Sequence, residues 1–201
     1  MKHIRIVETT VMLACLAVAA PVWATNYTFI DLGTLVEGGG SYANGVNATG
    51  QVAGISDTTG GTFHAFLTGA NGHGMADLGT PLGAYTSFAT GVNDSGQVVG
   101  DYFATNGTPR AFLTGANGQG MTDLNSSLNA SAVAAGWVLN YAYAINNNGW
   151  IVGTATNSYT GTQDAYLLTL PAVPEPRSYA MLLVGLGMIG FLARRRNRHP
   201  G

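Results

Sequence analysis

The chain has 201 residues with 8 basic and 10 acidic side chains, so its formal net charge is −2. These charges are segregated, because residues 25–176 contain nine acidic residues and a single basic one, Arg110, which gives this segment a balance of −8. Nucleic-acid-binding proteins need a basic surface to replace phosphate counterions, so the composition excludes ordinary nucleic-acid binding. The length suits one ordinary domain with terminal segments.

The first 24 residues are organised like a secretory signal peptide. Lys2 and Arg5 provide a positive start, residues 11–20 are apolar, and small residues occupy the positions that precede cleavage after Ala24. The apolar segment is shorter than the roughly 20 residues that a membrane span requires. We therefore predict a signal helix over residues 1–24 that signal peptidase removes. An uncleaved anchor or a core helix is the alternative.

Cys15 is the only cysteine, and it lies inside this apolar segment. Residues 12–15 weakly resemble a lipoprotein cleavage box, but residues 8–10 interrupt the apolar run that such a box needs. Cleavage after Ala24 would leave a mature chain without a thiol. That outcome would exclude a disulfide, a cysteine nucleophile and a thiolate metal site.

Residues 25–170 form an internal repeat of three units. Three sequence segments recur in the same order: Asp-Leu-Gly-Thr and its variants at residues 31, 77 and 123, Gly-Val-Asn-x-x-Gly-Gln-Val-x-Gly and its variants at residues 45, 91 and 144, and His-Ala-Phe-Leu and its variants at residues 64, 110 and 164. The first two units are 46 residues apart. The third carries about seven additional residues, which we place in the Ala- and Ser-rich residues 129–136.

Each unit is predicted to contain about four short strands joined by tight turns. Asn begins and Gly ends a turn at residues 47–50, 93–96 and 146–149. No segment of the repeat has a sustained helical apolar period, so the predicted fold is all-β, built from antiparallel strand repeats of propeller-blade size. Three units are fewer than the four to eight blades of typical closed propellers. An open array, a small closed unit and self-association are all compatible with the sequence.

The C-terminus has three consecutive parts. A Pro-rich linker at residues 171–178 contains Val173, Pro174, Glu175 and Pro176. The uncharged apolar residues 179–193 predict a transmembrane helix of roughly 22 Å, which is short of a hydrocarbon core of about 30 Å. A basic tail at residues 194–201 follows, and it begins with Arg194, Arg195 and Arg196. This arginine cluster predicts a cytoplasmic C-terminal side.

These three parts together resemble the PEP-CTERM sorting signal of exported bacterial proteins. The resemblance spans residues 173–198. It implies recognition at Pro174-Glu175-Pro176 by an exosortase, a membrane transpeptidase-like enzyme, with loss of the apolar tail. It also implies a Gram-negative host that makes extracellular polysaccharide. A plain C-terminal membrane anchor is the alternative.

The repeat resembles a family of exported bacterial proteins named for a His-Ala-Phe signature. Residues 64–66 match that signature, and the Asp-Leu-Gly-Thr and Asn-x-x-Gly-Gln-Val-x-Gly segments match as well. Arg110 and Asp164 replace the histidine in the other two units, which argues against a histidine function shared by all three. The resemblance implies secretion and a repeat architecture, and no known activity.

The sequence predicts no catalytic, cofactor or metal site. His64 and His73 have no cysteine or second histidine at ligand spacing; we expect His64 to be a surface strand residue and His73 to lie exposed in a Gly-rich turn. Residues 93–96 offer oxygen atoms, but they lack the alternating ligands and terminal Glu of a calcium loop. We interpret them as a turn.

The acidic residues also lack an enzyme motif. Asp31, Asp77 and Asp123 recur once per unit and are expected to be architectural, while Glu37, Asp57 and Asp101 have no motif around them. Gly-x-Ser-x-Gly and a phosphate-binding loop are both missing from the sequence. We therefore predict a protein that is not an enzyme and has no cofactor.

The resulting hypothesis is an exported protein that signal peptidase and an exosortase-like enzyme process, with a transient membrane anchor. Its destination is the cell surface or an extracellular polysaccharide matrix. The alternative is a secreted carbohydrate-binding or carbohydrate-active protein on the same scaffold. Aromatic side chains that could stack on sugars for that alternative are Tyr42, Tyr85, Tyr141 and Tyr143.

Overall fold

A computed structural model describes residues 26–81, 83–171, 181–184, 186 and 188–189. The chain divides into two compact units, residues 1–30 and 31–201. In the first unit, the described residues 26–30 have no regular secondary structure. The predicted signal helix and its cleavage position at Ala24 lie outside the described residues.

The second unit contains three antiparallel sheets, which confirms the prediction of a mostly β protein. The first sheet consists of β1 (Ser41–Val46), β2 (Val52–Asp57), β3 (Phe63–Thr68) and β4 (Met75–Gly79). The second consists of β5 (Ala84–Val92), β6 (Val98–Ala104), β7 (Pro109–Thr114) and β8 (Met121–Asp123). The third consists of β9 (Trp137–Ile145), β10 (Ile151–Asn157) and β11 (Gln163–Leu168).

Strands that are neighbours in sequence are also neighbours in each sheet. The third sheet has three strands among the described residues, one fewer than each of the first two sheets. Short 3-10 turns occur at Ala70–Gly72, Ala116–Gly118 and Leu124–Ser127. A short helix, α1 (Ala130–Ala134), occupies the additional residues 129–136, and the Asn129 side chain caps it by accepting a hydrogen bond from the Ala132 N–H.

The first turn of every sheet is built by an asparagine. The Asn47 Oδ1 accepts hydrogen bonds from the N–H groups of Thr49 and Gln51, at 3.1 and 2.9 Å. Asn93 and Asn146 make the same bonds in the other two sheets. Each turn ends on a glycine with φ between 71° and 75°, a conformation that side chains with a Cβ rarely adopt.

In every sheet a glycine on the second strand lies opposite an aromatic residue on the third strand. Gly54 is opposite Phe66, and the corresponding pairs are Gly100 with Phe112 and Gly153 with Tyr166. A Cβ on Gly100 would lie 2.9 Å from the Phe112 ring and 1.9 Å from the Phe88 carbonyl oxygen. Only glycine leaves room for this packing.

The sheets stack in chain order, and a cluster of buried apolar side chains lies between each consecutive pair. The cluster between the first two sheets includes Ala53, Ala65, Leu67, Ala89, Val98 and Phe112. The cluster between the second and third includes Val99, Ala111, Leu139, Ala142, Ile151 and Ala155. The first strands approach closely, since a Cβ on Gly45 would lie 3.3 Å from the Gly91 Cα, and one on Gly91 would lie 3.2 Å from the Ala144 Cα.

Part of the predicted transmembrane helix at residues 179–193 is described. Residues 181–184, 186, 188 and 189 are helical and exposed. Across the described ranges, no helix has the length and apolar character needed to cross a membrane. The sorting motif and the arginine cluster lie outside those ranges.

The Gly–aromatic packing predicts that Gly100→Ala is strongly destabilising. The new methyl group would collide with the Phe88 carbonyl oxygen and with the Phe112 ring, and overpacking of this kind costs about 3 kcal/mol. We expect a large fall in the midpoint of thermal unfolding measured by circular dichroism. Gly60→Ala is the matched control because a Cβ there would meet nothing closer than 3.7 Å. Equal midpoints for the two variants would contradict this packing.

Candidate functional site

The three Asn-initiated turns form a hydrogen-bonded ladder across the sheets. The Asn47 Nδ2 donates to the Asn93 carbonyl at 2.9 Å, and the Asn93 Nδ2 donates to the Asn146 carbonyl at 3.3 Å. Asp94 adds two bonds, since its carboxylate accepts from the Ala48 N–H and from the Asn147 Nδ2. These bonds lower the pKa of Asp94, with the Ala48 bond contributing most.

The ladder supports the interpretation of residues 93–96 as a turn. The Asp94 carboxylate, the acidic group of these residues, accepts hydrogen bonds from the turns on either side. Within residues 26–81, 83–171 and the described parts of 181–189, no group of three or more His, Cys, Asp or Glu side chains is placed to hold a metal ion.

A side-chain contact to an aspartate joins the third and fourth strands of each four-stranded sheet. The His64 Nδ1 lies 3.0 Å from both carboxylate oxygens of Asp77. The Arg110 Nη1 lies 3.0 Å from the Asp123 Oδ2 at the corresponding position. Asp77 and Asp123 therefore have the architectural role that their recurrence predicts. His64 is half-buried on its strand, and His73 is exposed in its turn as expected.

Asp57 and Asp101, two of the three acids without a motif, lie in separate sheets. The Asp57 Oδ2 accepts a hydrogen bond from the Gly40 N–H at 2.6 Å. Asp101 lies in β6 with only 8% of its surface exposed, and burial raises its pKa to about 6. Burial and then the charge of Asp101 raise the pKa of Tyr141 on the third sheet. Asp101 is thus a buried acid between two sheets.

Two grooves at corresponding positions of the repeat lie between consecutive sheets. The first has a volume of about 330 Å³ and is lined by Gly61, Thr62, Phe63, Tyr85, Thr86, Phe88 and Phe103. Its rings are packed together, because the Phe88 centroid lies 6.1 Å from that of Phe63 and 5.9 Å from that of Phe103. Tyr85 is half exposed at the mouth. This groove presents an aromatic wall to solvent.

The second groove is more polar. It has a volume of about 350 Å³ and is lined by Thr108, Pro109, Val138, Asn140, Tyr141, Thr156, Ser158 and Gln163. Tyr141 stacks on Tyr143 with ring centroids 6.3 Å apart and planes 4° from parallel. Of the predicted aromatic candidates, Tyr85 and Tyr141 therefore line grooves, whereas Tyr42 lies exposed on β1 and lines neither.

The sequence-based candidates did not include Phe63, Phe88 or Phe103, which form most of the first groove. Repeat alignment contained a signal for them, because Phe88 is the counterpart of Tyr42 and Tyr141. A third cavity of about 280 Å³ lies between α1 and the third sheet. The hydroxyl of Tyr166, which lines this cavity, is buried without a hydrogen-bond partner.

Burial of Asp101 predicts a pH-dependent stability. Its pKa is about 6 in the folded protein and 3.8 in the reference state, so between these values the folded protein holds more protons than the unfolded chain. The free energy of unfolding therefore falls as the pH rises through this window. We expect Asp101→Asn to be more stable than wild type at about pH 7.5, by on the order of 2 kcal/mol, and to lose that advantage near pH 4.

Urea unfolding at both pH values measures this difference. Asp57→Asn serves as the control because its carboxylate accepts the Gly40 hydrogen bond, so no stabilisation is expected from its replacement. An Asp101→Asn variant that is less stable than wild type at neutral pH would show that the charged form of Asp101 is favoured by the fold.

Comparison with known proteins identifies one segment. Residues 172–196 match the PEP-CTERM protein-sorting motif. Comparisons with curated proteins and with solved structures yield no significant match. The match contains Val173 to Pro176 and Arg194 to Arg196, and it covers the C-terminal part of the chain alone. The motif indicates an exported or surface protein that an exosortase processes.

Proposed function

We propose that this chain is a non-enzymatic exported protein. Its C-terminal signal delivers residues 25–170, which we call the passenger, to the cell surface or to an extracellular polysaccharide matrix. The match at residues 172–196 carries the proposal. In this scheme the segment at 179–193 holds the protein transiently in the membrane, and the exosortase acts at Pro174-Glu175-Pro176. The N-terminal 24 residues direct export and are removed after Ala24.

The passenger's polar groups support a structural role. Asp77, Asp94 and Asp123 make contacts within the fold, and the asparagines of the turns hold neighbouring sheets together. The 46-residue spacing agrees with the resemblance to His-Ala-Phe repeat proteins, which we extend to residues 27–170 as part of the proposal. Such a passenger needs no cofactor.

Replacement of the motif glutamate tests processing. We expect intact-mass analysis of exported wild-type protein to show a chain that lacks Arg194 to Arg196, because cleavage near Pro174-Glu175-Pro176 removes everything beyond it. Glu175→Ala should retain the tail. Glu37→Ala, which changes an exposed glutamate outside the motif, should be processed like wild type. Exported wild-type protein that keeps its arginine cluster would refute processing at this site.

The aromatic groove between the first two sheets favours a second candidate function, carbohydrate binding. Phe63, Tyr85 and Phe88 present ring faces and edges, and Thr62 and Thr86 add hydroxyl groups beside them. Sugar rings bind to sites that combine an aromatic surface with a few polar groups. A polysaccharide-binding passenger would also be retained in the matrix to which we propose it is delivered.

Tyr85→Ala tests this second candidate. In a pull-down with the extracellular polysaccharide of the producing bacterium, we expect its retention to fall about tenfold relative to wild type, since loss of a central aromatic residue commonly costs more than 1 kcal/mol of binding. Tyr159→Ala is the control because Tyr159 is 74% exposed and lines neither groove. Equal retention of all three proteins would exclude the groove as the binding site.

A separate measurement tests the non-enzymatic proposal. Hydrolysis of the polysaccharide by wild type that is lost in Asp57→Asn or Asp101→Asn would overturn it.

A further inference from the structure

The third sheet leaves apolar side chains exposed at positions that are buried in the other two. Ala53, Ala65 and Leu67 of the first sheet face the second sheet and are at most 4% exposed. Their counterparts in the second sheet, Val99, Ala111 and Leu113, face the third sheet in the same way. In the third sheet the counterparts are exposed, and they are Val152 at 42%, Leu167 at 55% and Ala165.

The first sheet has the complementary exposed face. Ala89, Val92 and Val98 of the second sheet pack toward the first sheet, and Ala142, Ile145 and Ile151 pack likewise toward the second. The counterparts in the first sheet are Ala43, Val46 and Val52. Val46 is 67% exposed and Ala43 is exposed as well. The two ends of the stack therefore present the two halves of one repeated contact.

The third sheet also has no fourth strand among the residues that the structure describes. In the first two sheets that strand carries the Asp-Leu segment at residues 77–78 and 123–124, at or just after its end. The remaining copy of this segment, Asp31-Leu32, precedes the first sheet. Asp31 and Leu32 are the last two residues of the sequence Tyr-Thr-Phe-Ile-Asp-Leu at residues 27–32. These six residues form no strand, and Tyr27 is 96% exposed and Phe29 90% exposed.

The glycine that follows this segment and the glycine that ends β4 accept the same hydrogen bond from a serine. The Ser41 Oγ donates to the Gly33 carbonyl at 2.7 Å, as the Ser87 Oγ donates to the Gly79 carbonyl at 2.6 Å. Gly79 ends β4, which belongs to the sheet before Ser87. By the same geometry, Asp31 and Leu32 belong to the last strand of a sheet before the first one, and the described residues of a single chain contain no such sheet.

We propose that a second copy of this chain supplies that sheet, so that copies join head to tail. Residues 27–32 of one copy add as the fourth strand to β11 of the other, and the exposed face of the first sheet covers the exposed face of the third. The pairing follows that of β3 with β4, in which Phe66 is opposite Asp77 and Leu67 opposite Ala76. Tyr166 is then opposite Asp31, and Leu167 is opposite Ile30.

The turn ladder continues across this joint. Within the described chain the ladder runs from Asn47 through Asn93 to Asn146. In the joint the Asn146 Nδ2 donates to the Asn47 carbonyl of the next copy, as Asn47 does to Asn93 within one copy. The contact is heterologous, so it closes as a ring or continues as a filament. Two copies would bring six sheets together, within the range of typical closed propellers.

One charge pair distinguishes the joint from the contacts inside the chain. The third strands carry His64, Arg110 and Asp164 at corresponding positions, and the first two pair with Asp77 and Asp123. In the joint, Asp164 lies diagonally across from Asp31, as His64 lies diagonally across from Asp77, and two like charges in contact across strands are unfavourable. Association is therefore weaker than the internal contacts. Replacement of Asp164 by arginine restores the pair found in the second sheet, and replacement of Asp31 by arginine gives the same pair with its charges exchanged.

Charge exchange tests the proposal on the exported protein. We expect Asp164→Arg and Asp31→Arg each to lower the dissociation constant measured by light scattering about tenfold, and the double variant to return toward wild type because two arginines then face each other. Glu37→Arg makes the same charge change at an exposed acid outside the joint. Single variants that associate no better than Glu37→Arg, or a double variant that associates as tightly as they do, would overturn the pairing.

A cross-link tests the register independently. Ile30→Cys in one protein and Leu167→Cys in another are mixed and oxidised, so only a bond between copies can join them. We expect a covalent dimer of the two proteins. Val133→Cys, an equally exposed position on α1, replaces Leu167→Cys in the control and should give little product. Equal yields in the two mixtures would refute the register. This outcome would not bear on the proposed processing of the C-terminal signal.

Discussion

A thin four-stranded sheet buries apolar side chains only where another sheet covers its face, and the whole fold follows from this constraint. Both buried clusters lie between consecutive sheets. The sheets come close enough because small residues meet along their first strands, at Gly45, Gly91 and Ala144. The turn ladder then fixes the alignment, since Asn47 and Asn93 each bond both within their own turn and to the next turn.

The repeat and its turns were predictable because they depend on local chemistry that recurs. Asn47 and Gly50 build a turn from their own backbone and side-chain preferences, and their copies do the same. The boundaries of each sheet were harder to predict from the sequence. In the sequence Asp77 begins the second repeat unit, yet in the structure it lies in β4, the last strand of the first sheet. This displacement explains why the third sheet has three strands among the described residues.

The sorting motif was equally predictable, because it consists of consecutive residues that act in order along the chain. The grooves were not, because Phe63, Phe88 and Phe103 come together from three strands of two sheets. The burial of Asp101 likewise depends on the neighbouring sheet, and its own sequence neighbours do not indicate it. Features that arise at the contact between sheets require the stacking geometry, which a repeat pattern alone does not specify.

The scarcity of basic residues has a consequence for survival outside the cell. Proteases that cut after lysine or arginine find a single such residue between positions 25 and 176, Arg110. That residue lies inside β7, its guanidinium is paired with Asp123, and Ala111 on the far side of the scissile bond is fully buried. Cleavage there requires the strand to leave its sheet. We therefore expect the folded repeat to resist trypsin-like digestion, without any disulfide in residues 25–176.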